Sequence, residues 1–214
     1  MGERRRGLLN ILVIYFNTAL VSCALMRFEG GDPTVQDGLR MANARLPQII
    51  GWTLLSAGVG AVLSAIESRL EFVGRVMVKL IGVAWTIATY FVVPILAAEG
   101  LGPVASVKRS AQLLRTTWGE GLVGNLALGT ATGLIVMMII LACAGMFVMA
   151  AVSNSTFLMF SIIALLVVAL TITFVVNSAL HQVFLAGLYR YGTTGNVPNG
   201  FSEQTFADAF TAKK

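Results

Sequence analysis

Five long apolar stretches, joined by short polar segments, run along the chain. They cover residues 8–26, 46–66, 76–98, 122–152 and 157–189. A helix needs about 20 mostly apolar residues to cross a hydrocarbon core of about 30 Å, and each stretch approaches or exceeds that length. Barrel strands alternate apolar and polar residues, whereas these stretches are continuously apolar. The pattern predicts an all-α, polytopic transmembrane helix bundle with about five membrane-spanning helices.

Two short amphipathic segments lie between the apolar stretches. In residues 35–45 and 104–117 the apolar positions recur at helical spacing, which predicts two short helices at the membrane interface. We expect Asp32 to be the N-cap of the first helix and Pro33 its first residue. The Gly-Pro pair at 102–103 gives the same start signal for the second helix.

The two halves of the chain resemble each other. Residues 29–45, here called the first connector, and residues 99–117, the second connector, both begin with Glu-Gly and lead through a proline into an amphipathic helix. At a constant shift of 70 residues, seven residues recur: Glu29, Gly30, Pro33, Arg45, Gly51, Ala57 and Ala61 match Glu99, Gly100, Pro103, Arg115, Gly121, Ala127 and Ala131. This order predicts an internal repeat. Chance is the alternative, because Gly and Ala are abundant in the chain.

The predicted organisation is one transmembrane helical domain followed by a small tail. Repeat-like units at 8–66 and 76–152 precede a final helix at 157–190, and together they form a domain over residues 1–191. Residues 192–214 form a short polar C-terminal tail. The Arg-rich start resembles a signal peptide, but no clear small-residue cleavage site follows it, so we expect the first helix to be retained.

Composition supports a membrane location. Hydrophobic residues make up 57% of the chain and charged residues 12%, against about 25% charged residues in soluble domains. The net charge is +5, but the basic residues flank the apolar stretches, so no nucleic-acid partner is expected. Cys23 and Cys143 lie inside predicted spans without metal-ligand spacing, and neither a metal nor another cofactor is expected.

The distribution of basic residues predicts an orientation. A parallel repeat places both connectors on one side of the membrane, and that side then carries nine Lys and Arg residues against six on the other. The excess predicts that the connectors and the C-terminus face the cytoplasm at a cell membrane. The cluster of Arg4, Arg5 and Arg6 argues for the opposite orientation.

Several strings of residues resemble a known family. They are Asn17-Thr18-Ala19-Leu20, Phe28-Glu29-Gly30-Gly31-Asp32-Pro33-Thr34-Val35, Glu99-Gly100-Leu101-Gly102-Pro103, Lys108-Arg109-Ser110 and Thr117-Trp118-Gly119-Glu120. Over nearly its whole length the chain resembles an uncharacterised prokaryotic integral-membrane family, domain of unknown function 6159. Members tend to begin with a further amphipathic and apolar segment, and we expect this chain to lack it. The resemblance implies a membrane fold and supplies no activity.

Polar side chains inside the spans are candidates for an intramembrane site, because polar groups are costly in lipid. The candidates are Asn17, Asn125, Asn177 and His181. For Asn17, an interhelical hydrogen bond is favoured over a transport site. His181 lies beyond the about 20 residues of the last stretch that the hydrocarbon core accommodates. An interfacial or packing role is therefore favoured over a proton relay.

Small residues line one face of the second and fourth predicted spans. The predicted helix-packing positions are Ser56, Gly60 and Ser64 in the second span and Gly121, Gly129 and Gly133 in or near the fourth. Small residues let helix backbones approach closely. A contact within the monomer is the default interpretation, and a contact between subunits of a homo-oligomer is the sharper hypothesis.

The connectors carry charges that could act at the membrane surface. Predicted contacts with anionic lipid headgroups are Lys108, Arg109 and Arg115. Glu29 and Glu99 are expected to be turn residues that end their helices. The alternative is an ion pair with a basic residue of a connector helix, such as Arg40 or Arg109.

These patterns favour a protein without catalytic activity. The sequence contains no His, Asp and Glu cluster, nucleophile motif or phosphate-binding loop. We expect a membrane scaffold or an accessory subunit of a membrane complex, whose partners are membrane lipids and either further copies of itself or other subunits. The alternative is an oligomeric channel or small-solute transporter, with one cavity lined by Asn17, Thr89, Asn125 and Thr171 or Asn177.

Overall fold

The described part of the chain is helical. The computed structural model describes the backbone of residues 2–117, 124–152, 156–198 and 201, and the side chains of 7–115, 132–150, 156–198 and 201. The helices of these residues are α1 (Gly2–Phe28), α2 (Val35–Ala44), α3 (Leu46–Glu67), α4 (Phe72–Ala88), α5 (Val92–Ala98), α6 (Pro103–Thr117), α7 (Gly124–Val152) and α8 (Thr156–Thr194). No strand occurs among them, and the predicted all-α class is confirmed.

Among the residues that the structure describes, five helical segments are long and apolar enough to cross a membrane. They are Gly7–Phe28, Leu46–Glu67, Phe72–Ala98, Thr132–Ala150 and Thr156–Thr194. Each overlaps one of the five predicted stretches. The short helices α2 and α6 lie where the two amphipathic segments were expected. The chain is thus a polytopic helical protein, and its five apolar helices indicate a multi-pass membrane protein.

The third span is interrupted between α4 and α5, a break that the apolar pattern does not reveal. Pro94 has no N–H group, and its ring clashes with the carbonyl of Tyr90, which favours a kink or a break in the helix at this point. The backbone N–H of Phe91 instead donates to the hydroxyl of Ser110 on α6, at 3.0 Å. Ser110 is fully buried, so α6 supplies the hydrogen bond that the interrupted helix lacks.

The start of α2 differs from the prediction, and Asp32 is not its N-cap. Thr34 is the N-cap, and it forms a capping box with Asp37. Asp32 instead pairs with Arg27 at 2.7 Å. The prediction was wrong because a reciprocal pair satisfies two backbone donors, whereas Asp32 would satisfy one. The second helix, α6, begins at Pro103 as predicted.

Helix α5 lies at the centre of the first of two compact units. This unit contains α1 to α6 and the last part of α8, from Gln182 onward. Val92, Ile95 and Leu96 of α5 are fully buried. One side of α5 contacts Val21, Ala24 and Phe28 of α1 together with Ala186 of α8 through Ala97. The other side packs against Trp52 of α3, whose ring stacks on Trp85 of α4.

The second unit contains α7 and the first part of α8, up to His181. Its described helices are apolar over most of their exposed surface. The hydroxyl of Thr132 on α7 donates to the side-chain oxygen of Asn177 on α8, at 2.7 Å. Polar side chains are tolerated between apolar helices in a bilayer when they form a hydrogen bond with each other, as these two do.

Gly38 marks the closest approach of α2 to α1. A Cβ at this position would lie 2.8 Å from the carbonyl oxygen of Ala19 and 2.5 Å from the Cys23 sulfur. A backbone oxygen cannot yield as a flexible side chain can, so the two helices would have to separate. By contrast, no described atom lies within 4 Å of a Cβ at Gly58 on α3.

We expect Gly38→Ala to lower the free energy of unfolding by about 1–3 kcal/mol through overpacking. Gly58→Ala is the matched control, and it should be neutral or stabilise by about 0.5–1 kcal/mol because alanine favours a helix. Equilibrium unfolding in detergent, followed by tryptophan fluorescence, measures both. Equal stability of the two variants would contradict the close contact.

The capping box of α2 should respond to acid. Thr34 donates to the carboxylate of Asp37 from its backbone N–H at 3.0 Å and from its hydroxyl at 2.7 Å. These bonds, followed by the charge of Arg40, hold the pKa of Asp37 below its usual 3.8. The folded pKa is the lower one, so the stabilisation is present above the usual pKa and is lost as the pH falls through the folded pKa.

We therefore expect the first-turn amides of α2 to lose hydrogen-exchange protection as the pH falls below about 4, after correction for intrinsic rates. Asp37→Asn should weaken that protection at neutral pH and remove its acid dependence. Asp32→Asn serves as control and should behave as the wild type does. Acid-independent protection in the wild type would refute the capping role.

Candidate functional site

Two Glu-Gly turns end two helices of the first unit. Gly30 follows α1 with φ +87°, and Gly100 follows α5 with φ +62°. Glycine adopts this left-handed conformation without the penalty of a Cβ, and it commonly terminates helices. The N–H groups of Glu99 and Gly100 both donate to the carbonyl of Ile95, at 2.8 and 3.2 Å. The predicted turn role of the Glu-Gly pairs agrees with this geometry.

The C-terminal part of α8 joins both turns. The hydroxyl of Tyr189 donates to Glu99 at 2.8 Å. The next residue, Arg190, donates from Nη1 to Glu29 at 2.9 Å. Arg109 of α6 donates from Nε to the same Glu99 oxygen at 3.1 Å. We call these five residues the glutamate network.

The alternative prediction for the two glutamates, an ion pair with a basic residue of a connector helix, is observed for Glu99. Glu99 pairs with Arg109, a basic residue of the second connector helix. Glu29 pairs with Arg190, while Arg40 pairs with Asp37 within α2. Glu99 therefore acts both at the turn and in an ion pair.

The second connector also packs against the junction of α2 and α3. The guanidinium group of Arg45 occupies the space that a Cβ at Gly100 would need. Gln48 donates to the carbonyl of Gly100 at 3.3 Å, and a Cβ at Gly51 would lie 2.9 Å from the ring of Pro103. Four of these residues, Arg45, Gly51, Gly100 and Pro103, are among the positions that match in the sequence at a shift of 70 residues.

A cavity of about 320 Å³ opens beside the glutamate network. Its apolar lining consists of Leu25, Met26, Met41, Ala97 and Ala98. Its polar lining consists of Ser22, Glu29, Tyr189, Arg190, Thr193 and Thr194. Such a mixture of an apolar wall and a few convergent polar groups is typical of a ligand site. Among the described residues, no group of His, Cys, Asp and Glu side chains could hold a metal ion.

The predicted intramembrane polar residues have different local surroundings. Asn177 accepts the interhelical hydrogen bond from Thr132. Asn17 on α1 and His181 on α8 are each half-buried, and neither lines the cavity. The side chain of Asn125 lies outside the described residues. These positions do not test the predicted site as a whole.

Three of the four described packing positions, Gly60, Ser64 and Gly133, are exposed, and Ser56 is half-buried. Ser56 donates to the carbonyl of Thr53 at 3.1 Å. No described atom lies within 4 Å of a Cβ at Gly60 or Gly133. Gly121 and the surroundings of Gly129 lie outside the described residues. Helix packing at these faces stays a prediction.

Of the predicted lipid-contacting residues, Lys108 and Arg115 are exposed, and Arg109 pairs with Glu99.

The sequence did not predict Tyr189 as a site residue, because one tyrosine in a long apolar helix gives no signal. Arg190 offered a weak signal as a charge near the end of an apolar helix. Its partner, Glu29, could not be inferred from spacing.

Tyr189→Phe tests the glutamate network. Tyr189 is buried, and a hydrogen bond to a charged group contributes about 1.5–3 kcal/mol, so the variant should lose stability of that order. Tyr15→Phe is the matched control, because its hydroxyl donates to Asn43 at an exposed position. It should cost about 0.5–1 kcal/mol. Detergent unfolding measures both, and equal losses would argue against the network.

A family model matches most of the chain. The model of a family of unknown function, DUF6159, matches residues 7–201. No curated protein matches the chain, and no solved structure matches it. The matched range begins at Gly7 within α1 and covers the rest of α1, α2 to α8 and both connectors. The chain therefore belongs to the DUF6159 family of unknown function.

Proposed function

We propose that this protein is a membrane scaffold or accessory subunit, without catalytic activity, which presents its two connectors to a partner in a membrane complex. The glutamate network carries the proposal. It joins α1, α5, α6 and the end of α8 through three contacts of 2.8 to 3.1 Å. A surface held in this way is preorganised, which lowers the entropy cost of binding a partner.

The charges of the connector surface support a cytoplasmic location at the cell membrane. Lys108 and Arg115 are exposed on α6, and Arg40 on α2 is 81% exposed. Basic residues beside membrane spans favour the cytoplasmic side and attract anionic lipids. The surface can thus rest on the membrane while its remaining face meets a protein partner.

Two threonines of the channel alternative, Thr89 and Thr171, use their hydroxyl groups for hydrogen bonds within their own helices. Thr89 donates to the carbonyl of Trp85 at 2.8 Å, and Thr171 donates to that of Val167 at 2.7 Å. Such bonds within one helix are the usual way in which threonine satisfies its hydroxyl in an apolar helix. This geometry favours the scaffold over the channel.

Site-specific photo-crosslinking in native membranes tests the scaffold. A photoreactive amino acid at Lys108, on the connector surface, should give one protein adduct of defined mass. The same group at exposed Arg69, in the turn between α3 and α4, is the matched control and should give none. Glu99→Gln should weaken the Lys108 adduct, because it loosens the network. Identical adducts from both positions, or lipid adducts alone, would refute the proposed docking surface.

Reconstitution separates the scaffold from the channel. Purified protein in liposomes should leave the vesicles tight to ions and to small neutral solutes, as measured by flux assays against protein-free vesicles. Flux that depends on protein concentration would overturn the scaffold in favour of the channel.

A further inference from the structure

The cavity beside the glutamate network lies at the end of a membrane span. The α1 span ends at Phe28, and Glu29 is the next residue. Leu25 and Met26, one turn earlier, line the apolar side of the same cavity. The cavity therefore passes from apolar lining to charged lining over about one helical turn, or about 5 Å. A phospholipid changes from acyl chain to headgroup over this kind of boundary.

The polar side of the cavity carries one charge of each sign. Glu29 and Arg190 line it together, and they form a single contact between Nη1 and Oε1. A guanidinium group has five N–H donors and a carboxylate has two oxygens, so this contact leaves both groups able to bind more. The Glu29 side chain is 65% exposed, and that of Arg190 is 25% exposed. The lining thus presents a donor and an acceptor of opposite charge side by side.

Two threonines add acceptors to the same rim. Thr193 donates its hydroxyl hydrogen to the carbonyls of Tyr189 and Arg190, at 3.0 Å each. Thr194 donates to the carbonyl of Arg190 at 2.8 Å. Because their hydrogens are used within α8, these hydroxyls can offer only oxygen lone pairs to a ligand. A ligand therefore needs N–H or O–H donors near the threonines and an anionic group near Arg190.

We propose that this cavity binds the headgroup of a zwitterionic phospholipid that carries a primary ammonium group. The ammonium donates to Glu29 and the threonine hydroxyls, the phosphodiester accepts from Arg190, and the glycerol lies against Leu25 and Met26. Charge complementarity selects this ligand. An anionic headgroup would place a second negative charge beside Glu29, and a trimethylated ammonium group has no N–H to donate.

The volume agrees with this occupant. The cavity of about 320 Å³ falls at the lower end of the range of about 300–1,000 Å³ that is usual for small-molecule sites. It can hold a headgroup while the acyl chains stay in the bilayer. This division is consistent with apolar lining on the side of the span.

Native mass spectrometry of the delipidated protein tests the proposal. Phosphatidylethanolamine, phosphatidylcholine and phosphatidylglycerol with identical acyl chains are titrated separately. We expect one phosphatidylethanolamine to bind about tenfold more tightly than either other lipid, since a hydrogen bond to a charged group is worth roughly this factor. Equal affinities, or a preference for phosphatidylglycerol, would overturn the proposal.

Three variants locate the binding. Glu29→Gln removes the acceptor charge and should reduce phosphatidylethanolamine affinity to that of phosphatidylcholine. Ala98→Phe fills the cavity from an exposed position and should abolish the tight binding. Glu67→Gln is the matched control and should bind lipid as the wild type does. Glu67 ends α3, does not line the cavity and pairs with Lys79 at 4.0 Å.

Circular dichroism and thermal unfolding show which variants are folded. If Ala98→Phe does not fold, the comparison of Glu29→Gln with Glu67→Gln decides the question. Unchanged lipid selectivity in folded Glu29→Gln would refute the site.

Discussion

The contact of α8 with both Glu-Gly turns is the interaction on which the first unit depends. Lipid tails are as apolar as leucine side chains. The hydrophobic effect therefore contributes little to the association of helices within a bilayer. Polar contacts and close packing must decide which surfaces meet. Tyr189 and Arg190 are adjacent on one helix, yet they bind Glu99 and Glu29 at two different turns. These two bonds together fix the rotation of α8 about its axis and the spacing of the turns.

Close backbone packing completes what the glutamate network begins. Gly38 brings α2 onto α1, and Gly51 admits Pro103 of the second connector. The break before α5 is stabilised from α6 through Ser110, which frees α5 to lie at the centre of the unit. Each device joins elements that are distant in sequence. These contacts depend on glycines, which have no side chain, and on the single hydroxyl group of Ser110. Adding one methyl group at a glycine or removing that hydroxyl group can therefore disturb the packing.

The proposed scaffold role and the proposed headgroup site both involve the C-terminal end of α8. Arg190 belongs to the glutamate network and also lines the cavity. A headgroup in the cavity and a protein on the connectors would both contact a surface that this residue helps to fix. The arrangement gives a physical reason to look for function at the connectors rather than at His181, whose half-buried side chain does not line the cavity.

The sequence by itself determined the positions of the five apolar spans and of the two short helices between them. The predicted stretch 46–66 corresponds to α3 (Leu46–Glu67), and α6 begins at the expected Pro103, because apolar length and proline preference are local properties. The capping of α2 by Thr34 and the break before α5 depend on competing hydrogen-bond partners. Only the tertiary structure decided the network, since Glu99 and Tyr189 are 90 residues apart, and Glu29 and Arg190 are 161 apart. Spacing carries no information on such pairs, which arise from the way in which whole helices pack.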